Sequence, residues 1–220
     1  MSYTISEENY IKSIYHLQQE TGLVNTNSLA AEMQTRPASV TDMLKKLKTK
    51  KLLQYERYKG FKLNDAGKKA ALDVVRKHRL WEFFLVEKLK FSWNEVHSIA
   101  EELEHISSDE LIHRLDNFLG NPSFDPHGDP IPDKHGKIPV IKQQSLSEIP
   151  LNKKVTVSSV GNQTAQMLEM LEHYNIALAT QITVLKKFEF DGSLEIKVLK
   201  QNNCIISEQV AKNVFVHYAQ

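Results

Sequence analysis

Imidazole and carboxylate side chains gather twice in the middle third of this chain. His97, Glu101, Glu104 and His105 fall at i, i+4, i+7 and i+8, which on a helix is an arc of roughly 100°. His78 and Glu82 stand four residues apart, again one helical face. Ring nitrogens and carboxylate oxygens converging from two helices are what a divalent transition metal needs, and neither group contains the cysteine or methionine of a soft site. Hard oxygens with imidazole suit Mn²⁺ or Fe²⁺, and Zn²⁺ is an ion such a set can take up in vitro. Turned against a partner helix without a cation, these groups would be costly to bury. The competing reading is a solvated polar face, and the His78–Glu82 pair alone could be a simple hydrogen bond. Catalytic signatures are missing: the sequence has no HExxH, GxSxG, P-loop or GxGxxG pattern. A metal-dependent hydrolase is therefore an alternative carried only by the ligand types.

The elements that must position these residues begin with a basic segment. Residues 36–62 hold nine basic side chains (Arg36, Lys45, Lys46, Lys48, Lys50, Lys51, Arg57, Lys59, Lys62) against Asp42 and Glu56, a local charge of +7 in a chain of net charge +1. A basic region on an otherwise acidic chain is the footprint of polyanion binding, although a lysine-rich solvated face has the same composition. The surrounding pattern reads as a winged helix-turn-helix. Ser6 is placed to cap a first helix with Tyr10, Ile11, Ile14, Tyr15 and Leu17 on its apolar face. Thr26 or Asn27 would cap a second, Ser28 to Met33. A tight turn at Gln34 to Arg36 precedes a third helix over about 37–50, opened by Pro37. Residues 52–63 alternate like a two-stranded ribbon turning near Lys59-Gly60. Such an arrangement enters a major groove with its third helix and grips flanking phosphates with the ribbon. Lys45, Lys46, Arg57 and Lys59 suit phosphate contacts, with Arg36 beside them, and Ser39, Thr41 and Asp42 could reach base edges.

Residues 65–119 read as entirely helical. The bulky run Trp81, Phe83, Phe84, Leu85 and Leu89 suggests a buried subunit interface, with a monomer core as the alternative. Asn94 would cap the helix carrying His97 to His105, and Ser107 and Ser108 precede a further helix, Asp109 to Leu119. Residues 120–150 hold prolines and glycines in an irregular connector. Beyond residue 150 short strands dominate: Lys154 to Val160, Gln181 to Lys187, Ser193 to Leu199 and Asn203 to Ser207. A helix is expected over Thr164 to His173, then a helical turn and last strand over 207–216, a pattern that fits a small β-barrel.

With 220 residues, 41% of them hydrophobic and 25% charged, the composition is that of a soluble globular protein. No run approaches the ~20 apolar residues of a membrane span, and the N-terminus lacks the features of a signal peptide. The single cysteine, Cys204, allows no internal disulfide, so a reducing cytoplasm is expected. Its strand-like surroundings make it a small buried hydrophobe rather than a nucleophile.

Several motifs then point the same way. Arg76-Lys77-His78-Arg79-Leu80 with Glu82, Val96-His97, Leu103-Glu104-His105, Ser108-Asp109-Glu110 and Pro126-His127-Gly128-Asp129-Pro130-Ile131-Pro132 resemble the diphtheria-toxin-repressor (DtxR/MntR) family of metal-activated transcriptional repressors. The resemblance runs from about residue 6 to the end. It implies a mainly α protein with a small β domain: a winged-helix DNA-binding domain over 1–64, a helical metal-binding and dimerisation domain over 65–142, and an SH3-like β-barrel of the FeoA type over 143–220. It also implies a homodimer that binds a palindromic operator without membrane association. Carried over by position, a primary metal site would use Glu101, Glu104, His105 and His78. A second site would use Glu82, His97, Asp125 and His127, with a ligand from residues 162–166. Glu101 stands where iron-responsive members have cysteine, which resembles the manganese branch; an iron-responsive repressor is the alternative within the family. Asn9 stands where that branch has aspartate, and Lys12 where some members have a second acid. In the mechanism so implied, Mn²⁺ ties the first helix, through Asn9 or nearby backbone, to the helices carrying the ligands.

Overall fold

A computed structural model describes residues 3–56, 59–93, 95–139, 142–199 and 203–218. The chain divides into two compact units. The first is built from three separate stretches, residues 1–78, 101–115 and 132–138; the second comprises residues 79–100, 116–131 and 139–220.

In the first unit, three helices and a hairpin form one core. Helix α1, Ile5–Thr21, is capped by Thr4, two residues before the expected cap Ser6. Thr4 accepts the Glu7 N–H and Glu7 accepts the Thr4 N–H in return, a reciprocal box that satisfies two orphan donors where Ser6 would satisfy none better. Helix α2, Thr26–Glu32, is likewise boxed one residue earlier than expected, by Asn25 with Ser28. Gln34 takes a left-handed φ of 47° in the turn that follows. Helix α3, Pro37–Thr49, has Pro37 in its first turn and buries Val40, Leu44 and Leu47. Strands β1, Leu53–Glu56, and β2, Gly60–Leu63, pair antiparallel. Val24, between α1 and α2, bridges Phe61 through two backbone hydrogen bonds, so the ribbon's root is stitched to the helices. Gly60 makes this approach feasible: a Cβ there would lie 2.4 Å from the Val24 carbonyl oxygen. Ile11, Ile14, Leu29, Leu47, Phe61 and Leu63 are the centre of this core.

Residues 65–119 are not entirely helical: non-helical stretches separate three helices. Helix α4 covers Asp65–Glu87, α5 Val96–Leu103 and α6 Asp109–Phe118. Asn64 caps α4 through the Gly67 N–H, and Ser108 caps α6 through the Leu111 N–H. The expected cap Asn94 lies outside the described residues. Helix α5 ends at Leu103, which leaves Glu104 and His105 in the turn beyond it. Among the described residues no helix is long and apolar enough to cross a membrane.

The second unit contains a small sheet domain. Its strands are β3 (Gln144–Ser145), β4 (Lys154–Val160), β5 (Gln181–Lys187), β6 (Leu194–Val198), β7 (Asn203–Ile206) and β8 (Val214–Tyr218), in the order β3-β8-β4-β5-β6-β7. Helices α7, Ala165–His173, and α8, Glu208–Asn213, complete it. The expected barrel is not closed. Among the described residues β3 and β7 are free edges, and strands of two and four residues offer too short a ladder to seal a cylinder. Val155, Val157, Leu168, Leu171, Ile182 and Ile196 lie at the centre of the core. Cys204 packs against it half-buried, and burial pushes its thiol pKa up, as befits an inert side chain.

Candidate metal centre

The metal-ligating residues expected from sequence gather about two carboxylates, Glu104 and Glu82, and His78 of α4 lies within 4.8 Å of Glu82 as well as beside Glu104. In the first unit, Glu8 and Lys12, one turn apart on α1, meet the turn after α5. His105 Nδ1 lies 2.6 Å from Glu8 Oε2. The Lys12 ammonium donates to both oxygens of Glu104, at 2.6 and 2.8 Å, and stands 3.6 Å from Glu101. His78, from α4, places Nδ1 2.6 Å from Glu104 Oε2. The Glu104 side chain is fully buried. Burial alone would raise its pKa, but the His78 bond and the Lys12 charge outweigh it and hold the carboxyl below the ordinary range. Glu101 is exposed and Asn9 is half-buried on α1. Glu8 escaped the reading of the sequence; the available signal is its spacing of four from Lys12 on one helical face.

The second cluster lies in the other unit. Glu82 from α4 and Asp125 and His127 from the connector are all buried, and their ligand atoms lie within 4.8 Å of one another. His97, on α5, adds Nδ1 at 3.2 Å from Glu82 Oε1, with 47% of its side chain exposed. Four bonds set the connector's shape. Asp125 Oδ1 accepts the His127 and Asp129 N–H groups, while Arg79 donates to the Pro130 carbonyl and to Asp129. Gly128 has a φ of +87°, and a Cβ there would sit 2.0 Å from the Ser158 carbonyl oxygen. Gln163, within the stretch expected to add a ligand, reaches Asp129 at 3.1 Å.

These residues fit a divalent cation on two grounds. His127 Nε2 is 2.8 Å from the Trp93 carbonyl, so that nitrogen carries a proton, and in the neutral ring Nδ1 is the lone pair that a metal-bound imidazole uses. That Nδ1 is buried with no hydrogen-bond partner; the nearest acid oxygen, Glu82 Oε2, is 3.8 Å away. The acids beside it also repel one another. Burial, then the charges of Asp129 and Glu82, push Asp125 up to about 7 against the opposing pull of Arg79 and His127. A cation would satisfy the nitrogen and neutralise the repulsion together.

The basic segment presents an open surface. Arg36, Ser39, Thr41, Asp42, Lys45, Lys46 and Lys59 are exposed, while Val40, Leu44 and Leu47 turn inward. Lys45 pairs with Asp42 at 2.9 Å. Arg57 lies outside the described residues.

Comparison with known proteins bears on both sites. Residues 3–61 match the iron dependent repressor N-terminal DNA binding domain, residues 64–133 the iron dependent repressor metal binding and dimerisation domain, and residues 144–218 the FeoA domain. The chain is 34% identical over 116 residues to the HTH-type transcriptional regulator MntR of Oceanobacillus iheyensis, covering 53% of this chain and 78% of that one. The chain belongs to the iron-dependent (DtxR/MntR) repressor family. This is a family of DNA-binding transcriptional regulators rather than enzymes, which sets aside the hydrolase alternative. A solved structure of a manganese-dependent transcriptional repressor in complex with manganese superposes with a TM-score of 0.86 at 32% identity, covering 97% of this chain and all of that one. A probable metal transport system membrane protein of Chlamydia trachomatis is 48% identical over 75 residues, and those cover 34% of this chain but only 17% of that protein's length.

Proposed function

We propose that this repressor-family chain is a cytoplasmic, Mn²⁺-responsive repressor that binds a palindromic operator as a homodimer and controls metal-ion homeostasis. In this reading its working parts are a winged helix over 1–64, a metal-binding and dimerisation region over 65–142 and an SH3-like module over 143–220. The observation that carries the reading is the buried, unpartnered Nδ1 of His127 beside Glu82 and Asp125. Glu82, Asp125 and His127 would hold the ion, with His97 closing the exposed side; this hard set suits Mn²⁺ or Fe²⁺ over a thiophilic metal. When bound, the ion supplies a charge that three buried groups share, tying α4 to the connector. The chain's own residues do the rest. Arg79 holds the connector in shape for the ion. Arg36, Lys45, Lys46, Arg57 and Lys59 contact phosphates, and Ser39, Thr41 and Asp42 address base edges. Only a dimer with fixed spacing between its two α3 helices matches successive major grooves.

The test is a binding titration on a duplex selected from a random pool in Mn²⁺, repeated anaerobically with Mn²⁺, Fe²⁺, Zn²⁺ and chelator. Affinity should rise about tenfold or more with Mn²⁺, a coupling of ~1.4 kcal/mol or more. Equal affinity in chelator would end the reading, and a larger response to Fe²⁺ would move the chain to the iron branch.

A further inference from the structure

The first cluster does not fit a divalent ion as the second does. Glu104 has three hydrogen bonds on its two oxygens, two from Lys12 and one shared with His78. His105 Nδ1 is engaged with Glu8, and its Nε2 lies 3.7 Å from Glu104 Oε1. A metal requires bare carboxylate lone pairs where an ammonium now sits. That ammonium is no surface accident: the Lys12 side chain is 14% exposed and its partner Glu104 is fully buried. The seat at Glu104 is therefore filled by a positive charge the chain carries on its own first helix.

We propose that Lys12 is a covalently tethered counter-ion that takes the place of a metal at Glu104, so that α1 is fastened to the turn after α5 with or without metal and the chain binds a single regulatory ion. The proposal deepens the metal-responsive reading above and rests on it only for where that single ion binds. With Lys12 on Glu104 and Glu8 on His105, two contacts one helical turn apart do what an ion held by Asn9, Glu101, Glu104, His105 and His78 would otherwise do. Competition follows: Mn²⁺ can enter the first cluster only by displacing an ammonium that cannot diffuse away.

Equilibrium dialysis of the full-length protein against Mn²⁺, read by elemental analysis, tests this. The unaltered chain should hold about one ion per chain, and Lys12→Glu about two, because an acid at that position converts the seat into a ligand. Lys12→Glu combined with His127→Ala should hold about one, now at the first cluster. Two ions on the unaltered chain, or no gain in Lys12→Glu, overturns the tethered counter-ion. No ion on the unaltered chain with one on Lys12→Glu sinks the assignment to the second cluster and leaves the counter-ion standing. Thermal unfolding guards against a misfolded variant. Lys12→Met strands the buried Glu104 charge, so its midpoint in chelator should fall by roughly 10 °C and recover in Mn²⁺. A midpoint equal to that of the unaltered chain overturns the proposal.

Discussion

At the scale of single residues, the chain shows how one side chain can serve both folding and charge balance. Glu7 closes the capping box of α1 and pairs with Lys50 at 2.7 Å. Burial pushes its pKa up, but the Lys50 and Thr4 bonds prevail and hold it below its ordinary 4.5. A depressed carboxyl contributes stability that is present above the unfolded value and lost as pH falls through the folded one. Glu7→Gln should therefore lower stability by about 1 kcal/mol at neutral pH. The deficit should vanish once the medium is acid enough to protonate Glu7 in the unaltered chain; chemical denaturation between pH 7 and pH 3 reads both. Glu8, its neighbour, illustrates the limit of reading residues from sequence. Its partner His105 is 97 positions away, and its one local mark is the spacing of four from Lys12 on the same helical face.

Among the elements, those held by local chemistry could be read from sequence and those held by distant contacts could not. Pro37 at the start of α3 and the alternation in β4 and β5 are written in adjacent residues; the boxes at Thr4 and Asn25 are local too, but a reading that caps at Ser6 and at Thr26 or Asn27 misses them. The end of α5 is not: the turn at Glu104 is set by Lys12, 92 residues away, so the four-residue arc on one helix did not survive. The open sheet likewise depends on strand lengths that periodicity does not fix. Three element-scale predictions rest on the geometry. Gly128→Ala would drive a methyl against the Ser158 carbonyl at a left-handed φ, so urea denaturation should show a loss of roughly 2 kcal/mol or more. On α3, Lys45→Ala and Lys46→Ala should each reduce the slope of log affinity against log salt by about one while weakening all duplexes alike. Ser39→Ala should instead change which base pairs are preferred, read by competition among duplexes.

For the molecule as a whole, the decisive surface is apolar. Phe84 and Phe118 meet at 6.5 Å between ring centres, Lys88 lies over the Phe118 ring, and Phe118 and Leu89 are 65% and 54% exposed. A ring that open on a helical region of a dimeric repressor family is what a second copy would cover. Phe118→Asp should shift sedimentation from dimer to monomer at micromolar concentration and, with it, abolish operator binding; an unchanged dimer would place the interface elsewhere. The first unit carries one more implication. Because it is assembled from residues 1–78, 101–115 and 132–138, a ribosome must release the chain past the middle of its length before Glu8 and Lys12 meet their partners. The reading head emerges early but stays unbraced until then, and a nick anywhere between 79 and 100 would sever covalent continuity without removing a single residue of that unit.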